Sequence, residues 1–217
     1  DLLRATGVEA VYVKPFTRDR SRLGGKAPAE THEAKPRAGA PQPETLVITE
    51  HGVRYEVRPY DGFSTGLFLE HRDHRHALAA LGARRVLNLF AYTCACSVPL
   101  ALAGAHVTNV DVSARYLDWG RRNHALNDVD ETVVRYSRMD AMAYLAYAAR
   151  HAHERFDLII LDPPTFGAAD RRRHIKAWSA PRDYPLGSVR WETLPPWPAD
   201  VRERGRVAAA LFRPPGR

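Results

Sequence analysis

Between about residue 84 and residue 166, short apolar runs alternate with longer amphipathic segments. Apolar runs of this length, rich in β-branched residues, are typical of strands buried on both faces, and the segments between them have helical spacing. The predicted strands cover residues 86–90, 106–112, 132–138 and 156–161. The predicted helices cover residues 97–103, 113–126 and 141–153. Strands that alternate with helices predict an α/β fold, a Rossmann-like doubly wound parallel sheet with right-handed crossovers.

The region before this core shows a weaker pattern. We expect one strand within residues 8–13, a β-hairpin at residues 45–59 around Gly52, a short extended piece at residues 66–69, and a helix at residues 72–81. Residues 24–43 hold almost no large apolar side chain and are expected to be a flexible linker. Four regions follow: an N-terminal extension and linker (1–44), a hairpin region (45–70), the α/β core (71–187) and a Pro/Arg-rich tail (188–217).

The tail offers no clear strand to complete the sheet. Residues 206–212 fit a short strand and a helix equally well, and the rest is rich in Pro and Arg. The fourth predicted strand is therefore expected to be an exposed apolar edge, which offers a surface for dimerisation. A truncated or frame-shifted end is one explanation, and the oligomeric state stays open.

Polar side chains stand where the predicted strands end: Asn88, Asp111, Asp140 and Asp162. In a doubly wound sheet these ends line one crevice at the topological switch point, where ligands bind. Asp111 follows the first loop by about 20 residues, the spacing of an acid that accepts hydrogen bonds from ribose hydroxyls. Asp140 is placed to accept from an adenine amino group. Because both acids precede helices, the alternative for each is a helix N-cap.

The loop after the first strand, residues 90–96, contains no glycine. A dinucleotide-binding fold needs glycine there, so that the backbone can close on a pyrophosphate. The lack of glycine in this loop argues against NAD as the ligand. A nucleoside ligand without phosphate, such as S-adenosylmethionine, makes no such demand.

Charge and composition indicate which class of partner the chain binds. The net charge is +7 and the isoelectric point is about 9.7, which favours a polyanion, with nucleic acid as the first candidate. No apolar run approaches the roughly 18 residues that a membrane span needs, and no signal peptide is visible, so we expect a cytoplasmic protein without a membrane partner. The two cysteines, Cys94 and Cys96, are expected to be reduced and to serve as small packing residues.

Four motifs in order resemble the class I S-adenosylmethionine-dependent methyltransferases of large-subunit ribosomal RNA, a group that includes cytosine carbon-5 enzymes and a guanine nitrogen-7 enzyme. The similarity covers about residues 45–185. The motifs occupy residues 60–69, 72–75, 86–93 and 161–166. One departure is that the family commonly has Asp-Gln where this chain has Glu70 and His71.

The resemblance implies S-adenosylmethionine as cofactor, RNA as partner and no metal. The implied cofactor-binding residues are Phe68, Arg72, Asn88, Phe90, Ala91, Tyr92, Thr93, Asp111, Val112, Ser113, Asp140, Ala141 and Asp162. The implied base-binding and catalytic residues are Asp162, Pro163, Pro164 and Phe166, with Phe166 stacking on a flipped base.

Chemistry favours one reaction within the family. Methylation of cytosine carbon 5 needs a thiolate to attack carbon 6, whereas guanine nitrogen 7 is already nucleophilic and needs positioning. Neither cysteine follows the fourth strand. We therefore predict a methyltransferase of 23S ribosomal RNA that acts on a guanine ring nitrogen, and as the alternative an inactive or accessory RNA-binding protein derived from a truncated methyltransferase.

Two further features receive plain interpretations. His71, His74 and His76 lie among charged residues, so a solvated helix surface is favoured over a metal site. The basic run at residues 171–173 fits phosphate contacts and a solvated loop about equally.

Overall fold

A computed structural model describes residues 2–13, 35–61, 64–151, 153–163, 190–192 and 208–211. The chain forms two compact units, Asp1–Phe68 and Leu69–Arg217. The helices are α1 (Leu2–Thr6), α2 (Arg72–Ala79), α3 (Ser97–Leu102), α4 (Ala114–Ala125) and α5 (Ala141–Arg150). The strands are β1 (Ala10–Val11), β2 (Ala38–Gly39), β3 (Leu46–Glu50), β4 (Val53–Val57), β5 (Arg85–Leu89), β6 (His106–Asp111), β7 (Val134–Arg138), β8 (Leu158–Leu161), β9 (Arg190–Glu192) and β10 (Ala208–Leu211). Within the described ranges, no helix is long and apolar enough to cross a membrane.

The first unit contains two small antiparallel pairs. β3 and β4 form the predicted hairpin, and its two turn residues, His51 and Gly52, have φ angles of 49° and 81°. Positive φ at both central residues matches the twist of the flanking strands. β1 pairs with β2, so the predicted linker at residues 24–43 contains a short strand. The extended piece expected at residues 66–69 is wrong, since Leu69–His71 forms a 3₁₀ turn and no strand precedes it within residues 64–68.

The second unit is built on a sheet of strand order β7-β6-β5-β8-β10-β9. The four strands from β7 to β8 are parallel, which confirms the predicted α/β core. Their side chains alternate between two buried clusters. One cluster joins Val86, Val107 and Ile160 to α2 and α3, and the other joins the opposite face of the sheet to α5. Helices on both faces explain why the central strand β8 is apolar and buried throughout.

The edge expected at β8 is not an edge. β10 runs antiparallel along β8, with Ala208 opposite Leu161 and Leu211 opposite Leu158, and β9 pairs with β10. The prediction of an unpaired fourth strand was therefore wrong, and dimerisation through that edge loses its basis. The neighbour is antiparallel and has the sequence Ala-Ala-Ala-Leu, which lacks the β-branched residues that make a strand recognisable.

Candidate functional site

The carboxyl ends of β5, β6 and β8 meet at one edge of the sheet. Leu89 of β5 lies opposite Val110 of β6 and Leu161 of β8. The next residues along each strand, Phe90, Asp111 and Asp162, are therefore level with one another. The loop after β5 therefore begins between two strands that each end in a carboxylate.

The loop after β5 has an unusual backbone. Phe90, Tyr92 and Cys94 have φ angles of 56°, 50° and 57°, in the left-handed region that side chains other than glycine rarely adopt. Each such residue costs on the order of 1 kcal/mol. The turn is closed by hydrogen bonds from Ala91 N to Val110 O (3.0 Å) and from Cys94 N to Ala91 O (2.7 Å). Strain of this kind persists only where the surrounding structure enforces it.

Asp111 holds this loop from the side of β6. Its Oδ2 accepts a hydrogen bond from Tyr92 N and its Oδ1 accepts one from Ser113 N, both at 2.9 Å. The N-cap of α4 is Ser113, whose hydroxyl accepts from Tyr116 N at 3.4 Å. The capping alternative for Asp111 is therefore wrong. A carboxylate offers about four acceptor sites, so these two bonds leave capacity for ligand hydroxyl groups.

Asp140, unlike Asp111, is a helix N-cap, which was the alternative predicted for both acids. Its Oδ1 accepts from Met142 N at 2.9 Å and from Ala143 N at 3.1 Å, which confirms it as the N-cap of α5. Ala141 is buried in the cluster beneath α5. Val112, directly after β6, and Met142, in the first turn of α5, have exposed apolar side chains.

Asn88 lies inside the sheet and not at its rim. Its side chain is 3% exposed, and its Nδ2 donates to Asn109 Oδ1 at 2.9 Å across the paired strands. Asn88 was predicted to face the ligand with the three acids, and the structure instead gives its amide a role in joining β5 to β6. Asn109 was not singled out from sequence.

Helix α4 supports the loop from behind. Asn123 is buried, and its Nδ2 donates to Thr93 O at 2.9 Å. Gly120 lies against Cys94 so closely that an added Cβ would be 2.3 Å from its sulfur. These contacts escaped the sequence predictions, although small or polar residues at positions i, i+3 and i+4 of a buried helix face were a usable signal.

A buried hydrogen-bonded chain continues this support. Ser97 Oγ donates to Cys94 O at 2.8 Å and lies 3.0 Å from His124 Nε2. His124 Nδ1 lies 2.8 Å from Gly120 O and 2.9 Å from the Tyr136 hydroxyl. Burial lowers the pKa of His124 to about 4, against a smaller opposing effect of the Gly120 carbonyl. The imidazole is therefore neutral at physiological pH.

Asp162 ends β8 on the other side of the loop. Its side chain is 49% exposed, and its Oδ2 lies 3.6 Å from Nε2 of His71. His71 Nδ1 in turn lies 3.3 Å from His74 Nδ1. His74 and Arg75 are buried, so the solvated helix surface predicted for the histidines is wrong at His74.

Several predicted site residues remain predictions. Pro163 is half-buried, while Pro164, Phe166 and the basic run 171–173 lie outside the described residues. Phe68 is the exposed last residue of the first unit. Arg72 Nε is 3.7 Å from Asp73 Oδ1 on a partly exposed surface. No group of three or more metal-binding side chains is present among the residues that the structure describes.

Comparison with known proteins identifies related sequences and structures. The S-adenosylmethionine-dependent methyltransferase family model matches residues 31–173. A Pseudoalteromonas translucida protein named ribosomal RNA large subunit methyltransferase K/L is 42% identical over 136 residues, which are 62% of this chain and 19% of that protein. A Streptococcus mutans S-adenosylmethionine-dependent methyltransferase structure is 38% identical, with a TM-score of 0.57, covering 60% of this chain and 35% of that one. A methyltransferase structure complexed with SAH is also 38% identical, with a TM-score of 0.58, covering 62% and 36%. The chain thus spans about a fifth of the length of the first curated relative.

Proposed function

This chain belongs to the S-adenosylmethionine-dependent methyltransferase family, and on that premise we propose that it transfers the methyl group of this cofactor to a base of 23S ribosomal RNA. The observation that carries the proposal is the strained loop at residues 90–94 between the carboxylates of Asp111 and Asp162. One carboxylate belongs to the cofactor side of the loop and the other to the base side.

On the cofactor side, the residues at the end of β6 would hold the nucleoside. The remaining acceptor sites of Asp111 bind the ribose hydroxyls, and Val112 supplies apolar contact to the adenine. The loop backbone at residues 90–93 lines the methionine end. Because Asp111 and α4 already fix this loop, the cofactor binds without first ordering it.

On the base side, Asp162 and Pro163 begin the wall that receives a flipped base. The same sequence motif continues with Pro164 and Phe166, to which the family resemblance assigns the remaining base contacts. A base taken out of its stack in this way presents its ring edge to the methyl group. Asp162 then lies beside the reacting atoms and contributes less to cofactor binding than Asp111 does.

The chemistry of the cysteines favours a guanine ring nitrogen over cytosine carbon 5. Cys94 is fully buried under the cofactor loop, and burial raises the pKa of its thiol well above the ordinary value. Such a thiol does not supply the thiolate that carbon-5 chemistry requires. Cys96 is the only other cysteine of the chain and lies at the N-cap of α3. Methylation of guanine nitrogen 7 needs no covalent bond between the enzyme and the base.

Two observations support ribosomal RNA as the substrate class. The curated relative carries that substrate in its name, and this chain has a net charge of +7. Positive charge attracts the phosphate backbone without regard to sequence. The accessory, non-catalytic alternative depended on a missing neighbour for β8. Because β10 fills that position, we do not propose it.

The test is methyl transfer from labelled S-adenosylmethionine to protein-free 23S ribosomal RNA, followed by nucleoside separation. We expect label in 7-methylguanosine, and none when Asp162→Asn is used. Label on carbon 5 of cytosine would contradict the choice of atom. A wild-type chain that binds S-adenosylmethionine but methylates neither naked 23S RNA nor the assembled large subunit would contradict the proposed reaction.

A further inference from the structure

Three side chains form a continuous line at the base side of the site. Asp162 Oδ2 lies 3.6 Å from His71 Nε2, and His71 Nδ1 lies 3.3 Å from His74 Nδ1. The three belong to separate elements: the end of β8, the 3₁₀ turn Leu69–His71 and helix α2.

Burial increases along the line. The side chain of Asp162 is 49% exposed and that of His71 is 13% exposed, and His74 is 3% exposed as a residue. The charged or titratable groups that act on His71 are Asp162, Glu70 of its own turn, and His74 and Arg75 of α2. Burial lowers the pKa of His71, although Asp162 and Glu70 oppose this effect. Burial raises the pKa of Asp162, and His71 opposes that.

The hydrogen positions follow from donor and acceptor counting. One of the two facing Nδ1 atoms must donate and the other must accept. When His74 donates, neutral His71 carries its hydrogen on Nε2 and presents it to Asp162. When His71 gains a second proton it must donate through Nδ1 as well, so His74 has to change tautomer. One proton added to the line therefore changes both its charge and its hydrogen bonding.

We propose that His71 is the positioning residue of Asp162: neutral His71 directs the carboxylate towards the substrate base, and protonated His71 neutralises it and switches methyl transfer off. The inference rests on the proposed transfer to a guanine ring nitrogen. The substrate of that reaction is a guanine base, which becomes cationic when it is methylated. Within the line, the Asp162–His71 pair titrates as a unit.

The charge balance of the reaction explains why an ionised Asp162 matters. The lone pair of guanine nitrogen 7 forms a bond to the methyl carbon while the carbon–sulfur bond breaks, and the sulfur keeps that electron pair. Positive charge moves from the sulfonium to the purine ring, and no proton is removed. A carboxylate beside the base stabilises this charge more in the transition state than in the ground state, whereas a carboxylate neutralised by His71 does not.

The activity test measures kcat between about pH 5 and pH 8 with saturating cofactor. For the wild type we expect a constant kcat above pH 6.5 and a fall of about tenfold per pH unit below the pKa of the pair. His71→Ala should lower kcat about tenfold near pH 8 with little change in the KM for the cofactor. His71→Gln should restore most of that loss, because its amide can also donate to Asp162, and its remaining fall at low pH should follow the protonation of Asp162 alone. His76→Gln changes an exposed histidine of α2, the helix that follows His71, and should keep the wild-type profile. A His71→Gln profile identical to the wild type would overturn the proposal.

A second measurement does not depend on catalysis. The ring protons of His71 are followed by NMR against pH in the wild type and in Asp162→Asn. Removing the carboxylate should lower the pKa of His71 by about half a unit or more, and an unchanged pKa would overturn the pairing. If the coupling is seen but no RNA base is methylated, the proposed function fails while the pairing of His71 with Asp162 stands.

Discussion

Asp111 and Asp162 end the two strands that flank β5, yet their carboxylates are held in different ways. Both oxygens of Asp111 accept backbone hydrogen bonds of 2.9 Å, one from the loop and one from the start of α4. Oδ2 of Asp162 lies at a longer distance, 3.6 Å, from Nε2 of His71, and about half of the Asp162 side chain is exposed. The first carboxylate is part of the fold, whereas the second can respond to a ligand or a proton.

This difference fits the roles that we propose for the two halves of the site. A cofactor binds in the same way in every catalytic cycle, so a rigid cradle lowers the entropy lost on binding. A substrate base must enter, react and leave, and charge has to develop beside it during the reaction. A fixed carboxylate suits the first task and an adjustable one suits the second.

Acid should affect the two halves at different pH values. The pKa of His124 is about 4 in the folded chain, against 6.5 for an unperturbed histidine. The unfolded chain therefore takes up a proton as the pH falls through 6.5, and the folded chain does so only near 4. Neutral His124 therefore contributes fully to the free energy of unfolding above pH 6.5. This contribution, about 3 kcal/mol in total, is lost as the pH falls towards 4.

Urea unfolding at several pH values measures this loss. His124→Gln should show a free energy of unfolding that depends less on pH by about that amount, while His106→Gln, at an exposed histidine, should behave as the wild type. If His124→Gln kept the full pH dependence, the buried neutral histidine would not be the support of the cofactor loop that the hydrogen bonds indicate.

An additional side-chain atom behind the loop at residues 90–94 should weaken cofactor binding and leave the base side of the site unchanged. Alanine is the better helix former by about 1 kcal/mol, so Gly120→Ala would stabilise an isolated helix. Here the new Cβ would lie 2.3 Å from the sulfur of Cys94. We expect a net destabilisation of about 2 kcal/mol and weaker cofactor binding.

The matched variant for this prediction is Cys94→Ala combined with Gly120→Ala. It removes the sulfur but leaves the Cβ of residue 94, at 2.8 Å, so stability should recover in part. A more stable Gly120→Ala protein with unchanged cofactor affinity would show that the loop is not held against α4.

Loss of one buried hydrogen bond should have the smallest effect. Asn123→Ala leaves Thr93 O without the amide that donates to it at 2.9 Å. An unsatisfied buried carbonyl costs about 1 to 2 kcal/mol, and we expect cofactor affinity to fall about tenfold. Asn127→Ala, which removes a similar amide that donates to a carbonyl of α4 itself, should leave the affinity within about twofold. Equal losses in the two variants would argue against a specific role for Asn123.

The sheet and its working edge could be predicted because they follow from local patterns. The alternation of strand and helix patterns defines β5 to β8. Asp111 ends β6 and Asp162 directly follows β8, so register alone brings both level with the loop. The turn His51-Gly52 was visible for the same reason. In each case the signal lies within a few residues of the feature that it predicts.

What escaped prediction depends on partners that are distant along the chain. Asn88 is satisfied by Asn109, and Thr93 by Asn123, pairs that no periodicity connects. For residues 206–212 the sequence left strand and helix open, because the three alanines of β10 carry little strand preference. The strand is recognisable only once β8 needs a neighbour. His74 was assigned to a solvated surface because its sequence neighbours are charged, although it is buried.

The most direct test of the division between the two halves compares Asp111→Asn with Asp162→Asn by calorimetry with S-adenosylmethionine and by methyl transfer to RNA. Asp111→Asn sets an amide against backbone N–H donors, and we expect cofactor affinity to fall about a hundredfold. Asp162→Asn should bind the cofactor within about fivefold of the wild type but lose methyl transfer. Equal losses of cofactor affinity in the two variants, or full methyl transfer by Asp162→Asn, would contradict the account.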